Sequence, residues 1–360
     1  MTASSQPAGV SVIICTHNGA DRLPATLKHL ANQRVDVMLN WEVIVVDNNS
    51  TDGTQATAQT LWKEFGAPTE LLALFQPIPG KNRALELAYE TARFSYVCIV
   101  DDDNWLNSDY IQRGYDLLES DERIGVLGGG NEGVFEIEKP EWFDAFRISY
   151  AVGTPMSQAY TPLETGEVVD GVLWGAGMFF RHELWQKLRQ LQFESLFTGR
   201  IGTKNMVAGE DDELCLAVRM LGYKIWFDAD LHLKHFMTAN RLNWAYMQRI
   251  LYSSVWSVVR LSVYSFAQRS DAEKYLGIWP WLVDLLYVTW SICKEVLSGP
   301  FWRATFHQDK YYFANFKWRL LRLYAMVKDY KLSRRNFCKV YGFKQRINAK
   351  FSVCQPVNFM

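Results

Sequence analysis

Short β-branched runs alternate with helix-spaced leucines along residues 10–100 of the chain. The run Val10–Cys15 predicts a strand, and Leu23, Leu27 and Leu30 recur at helical spacing within 22–32. The alternation continues with strands predicted over 42–46, 71–75 and 96–100 and helices over 54–65 and 82–92. Such alternation implies a parallel sheet with helices on both faces, in which ligands gather at the carboxyl ends of the strands.

Three adjacent carboxylates, Asp101 to Asp103, directly follow the predicted strand 96–100. Because like charges repel, the run needs positive charge nearby. A hard divalent cation takes oxygen ligands and bridges one or two carboxylates to phosphate oxygens, so the run indicates a metal and phosphate site. The alternative is a solvated acidic turn in which Asp103 or Asn104 caps the next helix.

The middle of the chain, residues 124–208, is richer in glycine and its strands are less regular. Gly128, Gly130 and Gly133 match the spacing of a dinucleotide-binding fingerprint, but that motif must open a helix. Since residues 134–138 predict a strand, we interpret the glycines as a sharp turn.

Composition describes a globular chain of 360 residues, 49% hydrophobic and 21% charged, with room for one large domain and a further element. After His235 long helical stretches follow. Residues 250–267 and 275–293 are nearly apolar but carry polar interruptions, and buried helices of a cap explain them at least as well as membrane spans. We predict a polar tail over 1–9, a main domain over 10–238 and a helical, aromatic and basic region over 239–360.

The formal net charge of −1 hides a basic segment, residues 301–350, which holds 13 Lys and Arg against 2 Asp and Glu. Basic helices with interleaved aromatics suit an anionic membrane surface. Nucleic acid would fit the charge, but no nucleic-acid module accompanies it, so none is expected as a partner. A merely solvated face is the other alternative. The short polar N-terminus does not resemble a signal peptide, which predicts a cytoplasmic chain, with any membrane contact at the inner face of the plasma membrane.

Four segments, Ser11–Asn18, Val45–Thr54, Val100–Asn104 and Gly209–Leu214, resemble in this order the motifs of the family 2 glycosyltransferases, most closely bacterial polysaccharide-biosynthesis members. The resemblance covers roughly residues 10–238. It implies the GT-A fold, a Rossmann-like mixed α/β sheet of nucleotide-diphospho-sugar transferases, here with a C-terminal helical extension. It also implies a nucleotide-sugar donor, with a UDP-sugar favoured, a divalent cation (Mg or Mn) and transfer with inversion.

On the donor side, the resemblance gives Asp47 a hydrogen bond from the nucleobase and places Thr16 and Asn18 beside base and ribose. The alternative for Asp47 is an Asx-type turn with the asparagines that follow it. In the acidic run, Asp103 is expected to hold the metal, Asp101 to meet metal or ribose, and Asp102 to belong with the donor-binding residues.

Basic and histidine side chains complete the implied donor and metal sites. His235 lies where many members place a metal-binding histidine, although Ala229 stands where the family often has proline; a satisfied polar histidine is the alternative. Lys81 and Arg83, at the start of a predicted helix, are expected near the diphosphate, with surface solvation as the alternative.

Residues 210–213 place four acids on the first turn of a predicted helix. They could simply complement the helix dipole, yet repulsion among them should raise at least one pKa. The resemblance assigns the catalytic base to Asp211, with Glu210 as second choice. Such a base takes a proton from the acceptor hydroxyl as it attacks.

Two further stretches are expected to shape the site, although an ordinary loop is the alternative for each. Trp174 and Gly175 resemble a glycine-containing turn where an aromatic ring stacks on the acceptor sugar. Arg200 and Lys204 lie in a basic loop that resembles a lid over the diphosphate.

Together these features predict an inverting, metal-dependent glycosyltransferase of cell-surface polysaccharide synthesis, acting on a glycan or lipid-linked acceptor. The alternatives are a catalytically silent nucleotide- or glycan-binding scaffold, or a nucleotidyl or phosphosugar transferase that uses the same metal and phosphate site.

Overall fold

The computed structural model describes residues 6–197, 207–276 and 280–352. It contains two compact units. The first unit takes the chain up to residue 188 together with 210–243. The second takes 189–197, 207–209 and the chain from 244 onward.

The first unit is built on one mixed sheet. Within the described residues its strands are β1 (Val10–Thr16), β2 (Trp41–Asp47), β3 (Glu70–Phe75), β4 (Tyr96–Val100), β5 (Asn104–Leu106), β6 (Ile124–Phe135), β7 (Gly166–Glu167), β8 (Phe179–Arg181) and β9 (Lys224–Met237). The order across the sheet is β3-β2-β1-β4-β8-β6-β9-β5, and β7 pairs with β9. Strands β3, β2, β1 and β4 are parallel, whereas β8 runs antiparallel to both its neighbours.

Helices of this unit are α1 (Leu23–Ala31), α2 (Thr54–Glu64), α3 (Lys81–Thr91), α4 (Tyr110–Ser120), α5 (Phe143–Phe146), α6 (His182–Gln190) and α7 (Glu210–Met220). Strands β2 and β4 are buried along their whole length, as expected of parallel strands covered by helices on both faces. The predicted α/β class with a Rossmann-like mixed sheet is confirmed.

The glycines at 128–133 form no turn, so that interpretation was wrong. They lie inside β6, which runs parallel to β9 with a register shift between Gly128 and Gly130. A Cβ on Gly129 would lie 1.7 Å from the carbonyl oxygen of Leu231 on β9. The glycines therefore allow the backbones of β6 and β9 to approach closely where the pairing register shifts.

The second unit is helical, as predicted. Its main helices are α8 (Trp244–Ala267), α9 (Pro280–Val296), α10 (Gly299–His307), α11 (Lys310–Lys328) and α12 (Tyr330–Ser352). A core forms where Val255 of α8, Val288 and Ile292 of α9 and Met326 of α11 pack together.

Helix α9 departs from the buried helix that we expected. One face packs into the core, but the other exposes large apolar side chains, including Leu286 and Trp290. No helix in the described part of the chain is long and apolar enough to cross a bilayer.

Candidate active site

The parallel register brings the predicted motifs to one edge of the sheet. Thr16 at the end of β1 pairs with Asp47 at the end of β2, and Ile14 pairs with Val100, the last residue of β4. The acidic run therefore leaves the sheet beside the turn that follows β1. This is the carboxyl edge at which parallel α/β sheets bind ligands.

Asp102 is held by the turn that follows β1. Arg22 donates from Nε to Oδ1 at 3.1 Å and from Nη2 to Oδ2 at 2.9 Å, and the Thr16 hydroxyl donates to Oδ2 at 2.5 Å. Gly19 is required here, because a Cβ would lie 2.0 Å from Thr16 Oγ1. Asp102 thus fastens this turn to the acidic run through a bidentate, geometrically specific pair.

Asp101 is paired with the first residue of α3. Lys81 Nζ lies 2.8 Å from Asp101 Oδ1, so the lysine that begins this 11-residue helix meets the first carboxylate of the run. Asn104 Oδ1 also accepts from the Asp101 amide at 3.0 Å, which closes the turn. The arrangement places a cation where an anionic ligand would need one.

Asp103 contacts one residue near the end of β9 and one that follows this strand. Arg241 Nη1 lies 2.6 Å from Oδ2, and His235 Nε2 lies 3.5 Å from Oδ1. The contact arises because β5 pairs antiparallel with β9, with Asn104 opposite His235. The amide of Phe236 donates to the Asp103 carbonyl at 2.9 Å, which fixes the register.

The three carboxyl groups differ in pKa. Burial alone would raise all three, but Lys81 outweighs it and lowers the pKa of Asp101. His235 and Arg241 likewise outweigh burial and hold the pKa of Asp103 well below its usual range. For Asp102, burial and the charge of Asp103 leave the pKa raised despite Arg22. Asp101 and Asp103 therefore carry their negative charge throughout the neutral range.

The donor-side residues predicted from β1 and β2 fasten two loops to each other. Asp47 is 5% exposed, and its Oδ1 accepts a hydrogen bond from the Ser50 amide at 2.8 Å. This contact is a local side-chain turn of the kind expected if Asp47 has no ligand. Asn18 has a left-handed φ of 48° and accepts at Oδ1 from the Thr51 amide at 2.9 Å. These contacts hold the loops in place and leave the donor-binding roles of Asp47 and Asn18 as predictions.

The residues present fit a divalent cation only in part. Among the described residues, no group of three or more His, Cys, Asp and Glu side chains is placed to hold a metal ion. Asp103 Oδ1 and His235 Nε2, however, lie 3.5 Å apart and both are buried. Neighbouring ligands of one Mg²⁺ are about 3 Å apart when each bond is about 2.1 Å. This pair could supply two ligands, and the others would come from the donor diphosphate and water.

Asp211 is tied to the same edge of the sheet. The Gly175 amide donates to Asp211 Oδ2 at 2.8 Å, and a Cβ on Gly175 would lie 3.0 Å from that oxygen. Two residues later the Gly177 amide donates to the carbonyl of Ile99, on β4, at 2.8 Å. The segment 175–177 therefore links the side chain of the candidate base to β4, the strand that the acidic run follows.

The acidic side chains on the first turn of α7 repel one another, and the pKa of Asp212 shows the effect. Burial and the negative charges of Asp211 and Glu210 raise its pKa well above the ordinary value. The expectation that at least one acid of this turn has a raised pKa is confirmed. Asp212 also donates its amide to Asp211 Oδ1 at 3.1 Å, so the helix start orients the candidate base.

The structure gives fewer contacts within the site for the remaining predicted residues. Arg83 is exposed and lies 3.8 Å from Glu86 on the same helix, and the structure joins it to none of the carboxylates of the acidic run. Trp174 is half-buried beside Gly175. Arg200 and Lys204 lie outside the described residues.

Arg22 and Arg241 were missed by the sequence reasoning. Both are ion-paired with the acidic run, at 2.9 Å and 2.6 Å. The available signal was the need of three adjacent carboxylates for positive charge, together with an arginine shortly after each of two candidate motifs. The register between β5 and β9 brings Arg241 to Asp103, and the pairing of β1 with β4 brings Arg22 to Asp102.

Part of the chain is similar in sequence to known proteins. Residues 11–187 match the sequence model of "Glycosyl transferase family 2". Over 122 residues the chain is 30% identical to a chondroitin synthase of Escherichia coli, a match that takes in 33% of this chain and only 17% of that protein.

The fold is also similar to that of solved structures with low sequence identity. A mannosyltransferase, PcManGT from Pyrobaculum calidifontis, in complex with GDP-Man and Mn²⁺, superposes with a TM-score of 0.56 at 18% identity, over 92% of this chain and 90% of that one. TarS 1-349 of S. aureus with UDP-GlcNAc gives 0.49 at 18% identity, over 98% and 94% of the two chains. The first of these shares the fold; the second score is too low to carry an argument.

Proposed function

We propose that the chain is an inverting glycosyltransferase of family 2, a proposal supported by the match of residues 11–187 to the sequence model of that family. Its donor is a nucleotide-diphosphate sugar, with a UDP-sugar favoured. Its acceptor is a glycan or a lipid-linked glycan of cell-surface polysaccharide synthesis, reached from the cytoplasm at the inner face of the plasma membrane. PcManGT is solved with GDP-Man, which supports a nucleotide-sugar donor without fixing the base.

One observation carries the proposal: the hydrogen bond from the Gly175 amide to Asp211 Oδ2. It supports a fixed carboxylate close to the end of β4, where the acidic run begins. Each carboxylate oxygen accepts one backbone amide, from Gly175 and from Asp212, and keeps a lone pair that can accept the proton of an acceptor hydroxyl. The hydroxyl oxygen then bonds to the anomeric carbon while the bond to the diphosphate breaks on the opposite face.

The acidic run and its cations handle the leaving group. Lys81, at the N-terminus of α3, offers positive charge to the diphosphate. Asp103 and His235 would hold a divalent cation, which when bound neutralises charge on the leaving diphosphate. Asp101 follows as a further candidate ligand, since its carboxylate is ionised at neutral pH. Asp47 and the turn at Thr16 and Asn18 lie at the same sheet edge, where base and ribose would bind.

The base is tested by Asp211→Asn. We expect release of nucleoside diphosphate from the donor to fall by about 10²–10⁴-fold, the usual contribution of a general base. Donor affinity by calorimetry should stay within about twofold, since the base touches the acceptor. The sugar–acceptor product of the wild type should show an inverted anomeric configuration by NMR.

Asp212→Asn is the matched control, because Asp212 stands next to the base and its pKa is already raised. It should keep most of the turnover. Equal turnover in wild type and Asp211→Asn would remove Asp211 as base and favour a nucleotidyl or phosphosugar transferase. Donor binding without turnover in any variant would favour the silent scaffold.

A further inference from the structure

The outward face of α9 is apolar and exposed. Leu286, Tyr287 and Trp290 are 63%, 62% and 59% exposed, and Val283 lies on the same side of the helix. Tyr287 and Trp290 also contact each other, with ring centroids 6.2 Å apart. In a helix that already has a core face, this is a second apolar face.

A different face of α9 packs into the core of the second unit. Val288 and Ile292 are buried and pack against α8 and α11. Hydrophobic packing within the described part of the second unit therefore leaves the outward residues uncovered. Exposed apolar clusters of this kind mark interaction surfaces more often than chance.

Large apolar side chains are also exposed on α10 and just before it. Leu297 follows α9 and is 83% exposed, while Trp302 and Phe306 stand one turn apart on α10 and are also exposed. Phe301, by contrast, turns inward, with its ring 5.2 Å from that of Phe316 on α11. The aromatic residues of α10 are thus divided between the core and the surface.

The second unit is strongly basic. Residues 280–352 contain 14 Lys and Arg against 4 Asp and Glu. Between 282 and 307 the only carboxylates are Asp284 and Glu295. Both are turned to α11, where they pair with Arg322 and Arg319. The outward residues therefore carry no carboxylate, and Lys294 lies over the Trp290 ring at 5.1 Å.

We propose that this α9–α10 face docks on an anionic lipid bilayer. The face comprises Val283, Leu286, Tyr287, Trp290, Leu297, Trp302 and Phe306. Tryptophan and tyrosine favour the depth of the lipid head groups, and an amphipathic helix with nearby cations lies in the plane of the interface. A second copy of the chain is a poorer occupant, because it would bring another strongly basic unit against this one, whereas anionic lipid complements the charge.

The test is sedimentation of the full chain with vesicles. On vesicles containing about 30% phosphatidylglycerol in phosphatidylcholine, the wild type should bind, and the double variant Leu286→Glu/Trp290→Glu should bind at least about tenfold more weakly. High salt and purely phosphatidylcholine vesicles should each weaken wild-type binding, since the basic residues contribute through lipid charge. The assay needs neither donor nor acceptor, so its outcome is independent of the proposed transferase activity.

Met38→Glu is the matched control, because Met38 is 82% exposed but belongs to the first unit and is not part of the α9–α10 face. It should bind vesicles like the wild type. A second pair, Tyr287→Ser/Trp290→Ser, guards against misfolding, with circular dichroism and solubility as checks.

Undiminished binding by both double variants, or no binding by the wild type, would overturn the proposal. Light scattering supplies a further outcome: a wild-type dimer that the glutamate variant converts to monomer, without vesicle binding, would assign the face to a second copy instead.

Discussion

Each carboxylate of the acidic run has its own cation, and each cation comes from a different segment. Asp101 meets Lys81 of α3, Asp102 meets Arg22 at the start of α1, and Asp103 meets the arginine that follows β9. Basic side chains of the protein thus offset the repulsion among the three carboxylates. A metal ion would have to compete with Arg241 for Asp103. These ion pairs hold the three carboxylates in fixed positions, which lowers the entropic cost of ordering them when a ligand binds.

Arg241 should oppose metal binding at Asp103. Its Nη1 lies 2.6 Å from Asp103 Oδ2, and a fixed positive charge there repels a divalent cation. We expect Arg241→Gln to tighten Mn²⁺ binding, without donor, by about threefold to tenfold, or about 1 kcal/mol. Calorimetry or the EPR signal of free Mn²⁺ measures it.

The control for that prediction is Arg83→Gln, since Arg83 is exposed and pairs only loosely with Glu86. It should leave Mn²⁺ affinity unchanged. Weaker Mn²⁺ binding by Arg241→Gln would instead make Arg241 a support of the metal ligands.

At the scale of elements, strand register decides which residues meet. His235 reaches Asp103 because β5 pairs with β9, and Asp211 reaches the end of β4 through the turn before β8. β9 is the long strand that makes both β5 and β6 pairings. Its close approach to β6 should therefore be essential to the site.

Gly129→Ala tests that approach. The added Cβ would lie 1.7 Å from the Leu231 carbonyl oxygen, a clash with backbone that cannot rotate away. We expect a loss of at least about 1–3 kcal/mol in the free energy of unfolding, the range for overpacked sites. Urea denaturation measures it. Gly128→Ala, whose Cβ would meet Leu173 Cδ1 at 3.3 Å, should cost much less; equal costs would refute the role of Gly129.

The sequence predicts the elements well where period and composition agree. The strands expected at 10–15, 42–46 and 96–100 match β1, β2 and β4 to within one residue at each end. It fails where long-range pairing decides: glycines at 128–133 have turn chemistry locally, but pairing with β9 keeps them extended. The pairings of Arg22 and Arg241 are missing for the same reason, because they depend on contacts between distant segments.

At the scale of the whole molecule, the chain combines an acidic site on the sheet of the first unit with a basic helical second unit. Removing residues 301–360 to test membrane contact would also remove Met326 and Phe337, which are buried in the second unit. Point substitutions on the α9–α10 face avoid that loss of core. The domain limits of 10–238 and 239–360 remain predictions beside the observed compact units.

Nucleotide binding tests the central claim most directly. Calorimetry of the full chain with UDP, GDP, dTDP and CMP, each with and without Mn²⁺, should show one diphosphate that binds only with the metal. Asp103→Ala should weaken that binding at least about tenfold, because it removes the carboxylate nearest His235. Asp144→Ala, which alters an exposed ion pair with Lys139, should not. Binding of no nucleotide, or equal metal-dependent binding by Asp103→Ala, would contradict the account of this site as a nucleotide-sugar transferase.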